Sequence, residues 1–230
     1  MRLIVSILIS GIICFPITAF SQKEINQVDE DGRPHGIWKK HYEGTQQLRY
    51  EGKFEHGKEV GEFKFYCEDC RDKPAVIKIY DPKTELAEVT FLSRNGSIIS
   101  KGEMKDRDRV GEWITYHENS TVPMIRETFL DGKLKGKRTV YYPNGKITED
   151  SNFVDGVITG ENIFYSPNGN VIKRLEYQNG LLQGPVNYYD EHGNLIIEGS
   201  YEQNNKHGLW KYYKDGKVVL EESFPKEKQE

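Results

Sequence analysis

The chain lacks what most compact enzymes carry. Only 36% of its 230 residues are hydrophobic, against 30% charged, so a thick aliphatic core is excluded. No 3.6-residue apolar stripe survives, because a glycine turn signal interrupts every candidate within a few residues, and helices are excluded too. Gly-x-Ser-x-Gly, His-Glu-x-x-His, a phosphate loop and a dinucleotide fingerprint are all missing. So is a basic excess: the formal net charge is −4, which gives no electrostatic case for nucleic acid or an anionic membrane. Aromatics, by contrast, are plentiful at 12%, with 14 Tyr. Disordered segments are poor in them, which excludes disorder. An apolar body with a polar tip suits tyrosine to a sheet with two partly exposed faces.

The N-terminus reads as a separate object. Arg2 precedes an apolar run, Leu3 to Phe15, broken only by Ser6, Ser10 and Gly11, and Ala19 and Ser21 place small residues at the −3 and −1 positions of a cleavage site. Residues 1–21 are read as a secretory signal peptide cleaved after Ser21. A retained anchor is the alternative, but the run is short for a spanning helix of ~20 residues. Cys14 follows Ile13 rather than a small residue, so no lipid anchor is read. Cleavage removes Arg2 and leaves 31 basic against 36 acidic residues, a net of −5. The expected setting is secreted or periplasmic, with no stable membrane insertion of the mature chain.

Beyond a short linker, 22–30, one glycine sets a repeating frame. Gly36, Gly61, Gly111, Gly136, Gly160, Gly184 and Gly208 each begin a similar hexapeptide, and from Gly111 onward the spacings are 25, 24, 24 and 24. An aromatic two residues on (Trp38, Phe63, Trp113, Trp210) and a Tyr five residues on (Tyr116, Tyr141, Tyr165, Tyr189, Tyr213) recur in this frame. The gap after Gly61 hides a degenerate copy anchored on Ala87, with Leu92 in the Tyr place. A residue seven before the anchor confirms it, as Phe54, Tyr80, Met104, Phe129, Phe153, Tyr177 and Tyr201. Eight copies of about 24 residues therefore fill 31–224, leaving a polar tail at 225–230, and repeats of this period signify stacked supersecondary units.

Two turns per copy shape the unit. Asn144-Gly145, Asn168-Gly169, His192-Gly193 and Asp215-Gly216 form one series; Asp131-Gly132, Asp155-Gly156 and Asn179-Gly180 form the other. Such pairs favour type I′ hairpin turns, which are expected throughout. The predicted fold is all-β: one elongated antiparallel meander of about sixteen short strands, each copy touching only its neighbours. Alternation puts the aromatics two and four after the anchor on one face and the Tyr five after it on the other, unless a bulge intervenes. Copy one and the tail are expected to cap the ends. An unprotected end strand would invite self-association.

The combination of Gly-x-aromatic-x-x-Tyr, Asn-Gly, an aromatic and then Asp/Asn-Gly, repeated near 24 residues from about Asp31 to Phe224, resembles the MORN-repeat-variant family. The resemblance implies a long curved sheet of hairpins serving as an interaction module. Some bacterial members are labelled antitoxin components, a role that needs no signal peptide. Related eukaryotic repeats are connected with membranes and phospholipids, which a net charge of −5 does not support.

Candidate residues are few. His35 and His207 precede anchors, His56 and His192 precede turn glycines, and all four read as turn positions. Glu62, Glu88, Glu112 and Glu161 recur beside anchors as solvated faces, not as the unlike carboxylate pair of a glycosidase. Cys67 and Cys70 stand at a hairpin tip; a local disulfide leads over half a zinc site, a redox motif or free thiols. Trp38, Trp113, Trp210 and Tyr212 are read either as sheet packing or as an exposed row receiving an extended peptide or glycan. No cofactor, metal or catalytic residue is expected. The function expected is a non-catalytic, exported scaffold for a protein partner, with a toxin-binding immunity role or an envelope-glycan module as alternatives.

Overall fold

The computed structural model describes residues 24–69 and 72–226. The leader read at 1–21, together with Cys70 and 227–230, lies outside the described residues. These contain no helix. The strands are β1 (Gln27–Val28), β2 (Pro34–His41), β3 (Leu48–Glu55), β4 (Lys58–Phe65), β5 (Val76–Tyr80) and β6 (Leu86–Leu92). Then follow β7 (Ile98–Lys105), β8 (Asp108–Tyr116), β9 (Pro123–Leu130), β10 (Lys133–Leu134), β11 (Gly136–Tyr141) and β12 (Ile147–Val154). The last six are β13 (Val157–Tyr165), β14 (Val171–Gln178), β15 (Leu181–Tyr189), β16 (Leu195–Glu202), β17 (Asn205–Lys214) and β18 (Lys217–Phe224). Strands pair antiparallel with their chain neighbours, except that β10 and β11 both pair with β9, giving one open meander. The sixteen expected strands are present, with β1 and β10 as two-residue additions.

The anchor glycines explain the regularity. Each takes a positive φ, from +63° at Gly111 to +103° at Gly184, a region where a Cβ is costly. On one side the anchor pairs with the residue eighteen or so positions later: Gly36 with Phe54, Gly160 with Tyr177, Gly208 with Phe224. On the other side the ladder slips. Asp150 pairs with Ile163 but Asn152 with Thr159, so the anchor strand carries a two-residue bulge around Gly160. The slip recurs at Gly61, Gly111, Gly184 and Gly208. Copy three shows the cause by exception. Ala87 has no positive φ, and β5 and β6 pair without any slip.

The two turn series differ, contrary to the expectation of type I′ throughout. Asp131-Gly132, Asp155-Gly156 and Asn179-Gly180 have both residues at positive φ, as type I′ requires. At Tyr142–Gly145 and Ser166–Gly169 the glycine N–H donates to the carbonyl three residues back, at 2.9 and 2.8 Å, and the glycine alone has positive φ. This is a type I turn followed by a left-handed glycine, and the third loop residue forces it. His192-Gly193 behaves likewise, whereas Asp215-Gly216 closes a two-residue type I′ turn. The type I′ edge is stitched from copy to copy: the N–H groups of Gly57, Gly132, Gly156 and Gly180 donate to the carbonyls of Pro34, Arg109, Leu134 and Ile158.

Candidate interaction surface

Paired residues share a face, and alternate residues along a strand share a face. In β17 this groups Trp210 with Tyr212 and, on the opposite side, Lys211 with Tyr213. Contacts agree. Lys206 Nζ lies 4.0 Å from the Trp210 ring centre and 5.8 Å from that of Tyr212. Lys211 Nζ and Tyr213 Oη reach Glu198 on the other side, at 3.3 and 2.6 Å. The sheet thus has a core face and a tyrosine face.

The core face is closed by its own rings. Trp113 and Trp210 are only 1% exposed, so two of the four candidate binding aromatics present no surface. Each indole lies flat over a glycine of the preceding strand. A Cβ on Gly52, Gly102 or Gly199 would fall inside the Phe63, Trp113 or Trp210 ring. Rings close in edge-on, Tyr201 at 5.3 Å and Phe224 at 6.1 Å from Trp210, and a cation caps each indole, Arg109 over Trp113 at 4.3 Å and Lys206 over Trp210. The indole N–H groups donate to the carbonyls of Glu103 and Ser200. Tyr212 belongs to this packing and donates to Glu222 at 3.0 Å. Trp38 is half-buried, donates to the Gln27 carbonyl at 2.8 Å and stacks edge-on with Phe54, so it serves the N-terminal cap that β1 and Asn26 form. Burial pushes the Tyr80 and Tyr188 phenols up to about 12.

The place of the buried ring is polar in copies five and six. Arg138 lies 3.2 Å from Glu127 and 3.6 Å from Glu149, and the Asn162 amide donates to Glu149 at 2.9 Å. This seam separates two apolar clusters, one on Ala87, Val89 and Trp113 and the other on Leu175, Val186 and Trp210.

The tyrosine face carries a ladder that is absent from the candidate binding residues Trp38, Trp113, Trp210 and Tyr212. Tyr116, Tyr141, Tyr165, Tyr189 and Tyr213 are half-buried and pair directly with Pro123, Ile147, Val171, Leu195 and Val218. Each of these pairs follows a bulge in its ladder, so every copy sets one tyrosine beside one apolar residue at the same place in the unit. Tyr66 extends the tyrosine positions toward the N-terminus. Of these six, Tyr66 and Tyr213 tie their hydroxyls to Glu51 and Glu198. Burial and Glu51 raise the Tyr66 phenol to about 12, and the hydrogen bond from Lys39 holds Glu51 below its ordinary range. Among the described residues no hydrogen bond engages the other four hydroxyls. The backbone under the row is pinned, since Tyr42, His117 and Tyr142 side chains reach the carbonyls of Tyr66, Tyr141 and Tyr165 at 2.7, 3.0 and 2.8 Å.

Of the histidines read as turn positions, His56 and His192 lie in turns, whereas His35 and His207 lie inside β2 and β17, where the strands run through the left-handed anchor. His56 Nδ1 lies 2.8 Å from Asp29 with the His35 ring beside it, and His207 faces Glu202. Among the described residues no three His, Cys, Asp or Glu side chains converge on a metal position. Cys67 lies in the β4–β5 loop and is disulfide-bonded; Cys70, its expected partner, is outside the described residues.

Residues 130–155, 158–179 and 182–203 match the MORN repeat variant. Three repeats within 130–203 are similar to MORN-variant repeats. Outside the matched stretches the same geometry continues, with left-handed anchors at Gly36, Gly61, Gly111 and Gly208 and the exception of Ala87. No curated protein matches the chain. MORN repeats are in general interaction repeats and not catalytic ones.

Proposed function

We propose that this chain is an exported, non-catalytic scaffold that docks a protein partner on its tyrosine face. The observation that carries the reading is the row from Tyr116 to Val218, half-exposed, backbone-pinned and largely without internal partners. Tyrosine is favoured at protein interfaces because a rigid ring offers large contact area at low entropic cost and its hydroxyl adapts to polar neighbours. The core-face rings, by contrast, are already engaged with one another. Flanking ion pairs such as Arg174–Glu161 at 2.6 Å and Arg126–Glu112 at 3.0 Å supply the polar rim such interfaces have. The leader ending at Ser21 supports export.

Affinity capture from the native envelope fraction, with the tagged mature chain and with a Tyr141→Ala/Tyr165→Ala/Tyr189→Ala variant of it, tests this reading. A stoichiometric protein held by the natural chain and lost by the folded variant is expected. Retention by envelope polysaccharide, with no protein partner, would overturn the scaffold reading.

A further inference from the structure

Resting on that reading, we propose that the tyrosine row is a site for a polyproline II segment of the partner, lying across the strands with one tyrosine per helical turn. Ladder tyrosines stand on every second strand, so their spacing is roughly 9.6 Å, twice the ~4.8 Å between neighbouring strands. A polyproline II helix has three residues per turn and rises roughly 9.3 Å over them. Across the five positions from Tyr116 to Tyr213 the two periods drift apart by only about 1 Å.

Other extended or helical ligands fit worse. A β-strand covers about 10 Å in three residues, but its side chains alternate, so every second tyrosine would meet the wrong face. An α-helix returns to the same face after seven residues, about 10.5 Å, and is out of phase by several ångströms at the fifth tyrosine. Only a helix with an integral three-residue turn keeps one side toward the row.

The chemistry agrees with the spacing. A polyproline II backbone makes no internal hydrogen bonds and leaves its carbonyls open. Tyr116, Tyr141, Tyr165 and Tyr189 hold hydroxyl donors that no hydrogen bond engages among the described residues. Pro123, Ile147, Val171 and Leu195, each paired with one of them across a bulge, add one apolar neighbour per tyrosine for prolyl side chains. Aromatic-lined grooves that donate hydrogen bonds to such carbonyls are a general solution for proline-rich ligands, whose ordering entropy is low before binding.

Calorimetric titration of the full mature chain with an oligoproline of about 13 residues, against a Gly/Ser peptide of equal length, tests the proposal. Calorimetry is chosen because the buried Trp113 and Trp210 would not report on the opposite face. Saturable binding of oligoproline alone is expected. Tyr165→Ala or Tyr189→Ala should each weaken it about tenfold, and Tyr165→Phe a few-fold, with unchanged circular dichroism. Absence of oligoproline binding, or equal binding of the Gly/Ser peptide, overturns the proposal. Displacement of oligoproline from the ladder by a soluble β-linked glucan also overturns it, in favour of a glycan platform. If the captured partner still requires Tyr165 and Tyr189 while oligoproline is silent, the proline-specific inference fails and the scaffold reading stands.

Discussion

Gly199 has no side chain because the Trp210 ring fills that space, and the same relation joins Gly52 to Phe63 and Gly102 to Trp113. Elsewhere the position nine before the anchor changes with its partner. Leu175 pairs with Val186 and Glu127 bonds Arg138, while buried Ser151 and Asn162 hold the equivalent positions of copy six. These pairs are alternative ways to fill one site, so they should be energetically coupled. Gly199→Leu alone is expected to destabilise by about 3 kcal/mol and Trp210→Val by about 3–4. Combined, they recreate the Leu175–Val186 pairing, and denaturant titration should show a double-variant loss smaller than the sum by at least about 1 kcal/mol. Strict additivity would sink the pairing rule. Titrating groups set a second expectation at this scale. Glu51 and Glu198 have carboxyl pKa values lowered from 4.5 by Lys39 and by Tyr213. Their contribution is present above pH 4.5 and is lost as pH falls through the lowered values. Tyr66, Tyr80 and Tyr188 are raised from 10 to about 12, so their contribution is present below pH 10 and lost as pH rises toward 12. Stability measured across pH should therefore form a plateau falling at both ends; a rise between pH 10 and 12 contradicts this.

At the scale of the element, the bulged anchor strand follows from one backbone angle. Gly160 sits at φ +71° with open space around a would-be Cβ, so Gly160→Ala tests backbone conformation without a clash. A loss of about 1–2 kcal/mol in denaturant titration is expected; no loss would mean that the left-handed anchor is not needed. This explains what was legible beforehand. Anchor and turn glycines are local requirements, visible in a single sequence, and they gave the copy count, the register of Ala87 and the strand order. Turn type at Asn144-Gly145 is not legible from the dipeptide, which suits two loop lengths, and only the strand register tells which is used. Burial of Trp113 and Trp210 was illegible from their own positions. It depends on glycines in the neighbouring strand and on Arg109 and Lys206 above the rings, relations that cross strands. The tyrosine ladder could be seen as a period but not as a surface, since its apolar neighbours join it only through pairing.

The whole molecule is a chain of neighbour contacts with two apolar centres. Between the clusters of Trp113 and Trp210 lies the seam of Arg138, Glu127, Glu149 and Asn162. There β9 and β11 share only the pairs Arg126–Thr139 and Ile125–Val140. Such an array opens by parts. Native-state hydrogen exchange should give β6–β8 and β15–β17 separate opening free energies, with β10 and the start of β11 least protected; one common value across all strands would contradict it. The array also presents two opposed faces over its length, and its function depends on which one is used. Neighbouring residues distinguish them: Phe164 and Tyr188 lie on the core face, Tyr165 and Tyr189 on the other. The most direct measurement places a photo-crosslinking residue at each of these four positions in turn and irradiates the complex with the captured partner. Crosslinks from 165 and 189, with none from 164 and 188, are the predicted result. Crosslinks from 164 and 188 alone would show that the partner docks on the core face and would contradict the assignment of the tyrosine row.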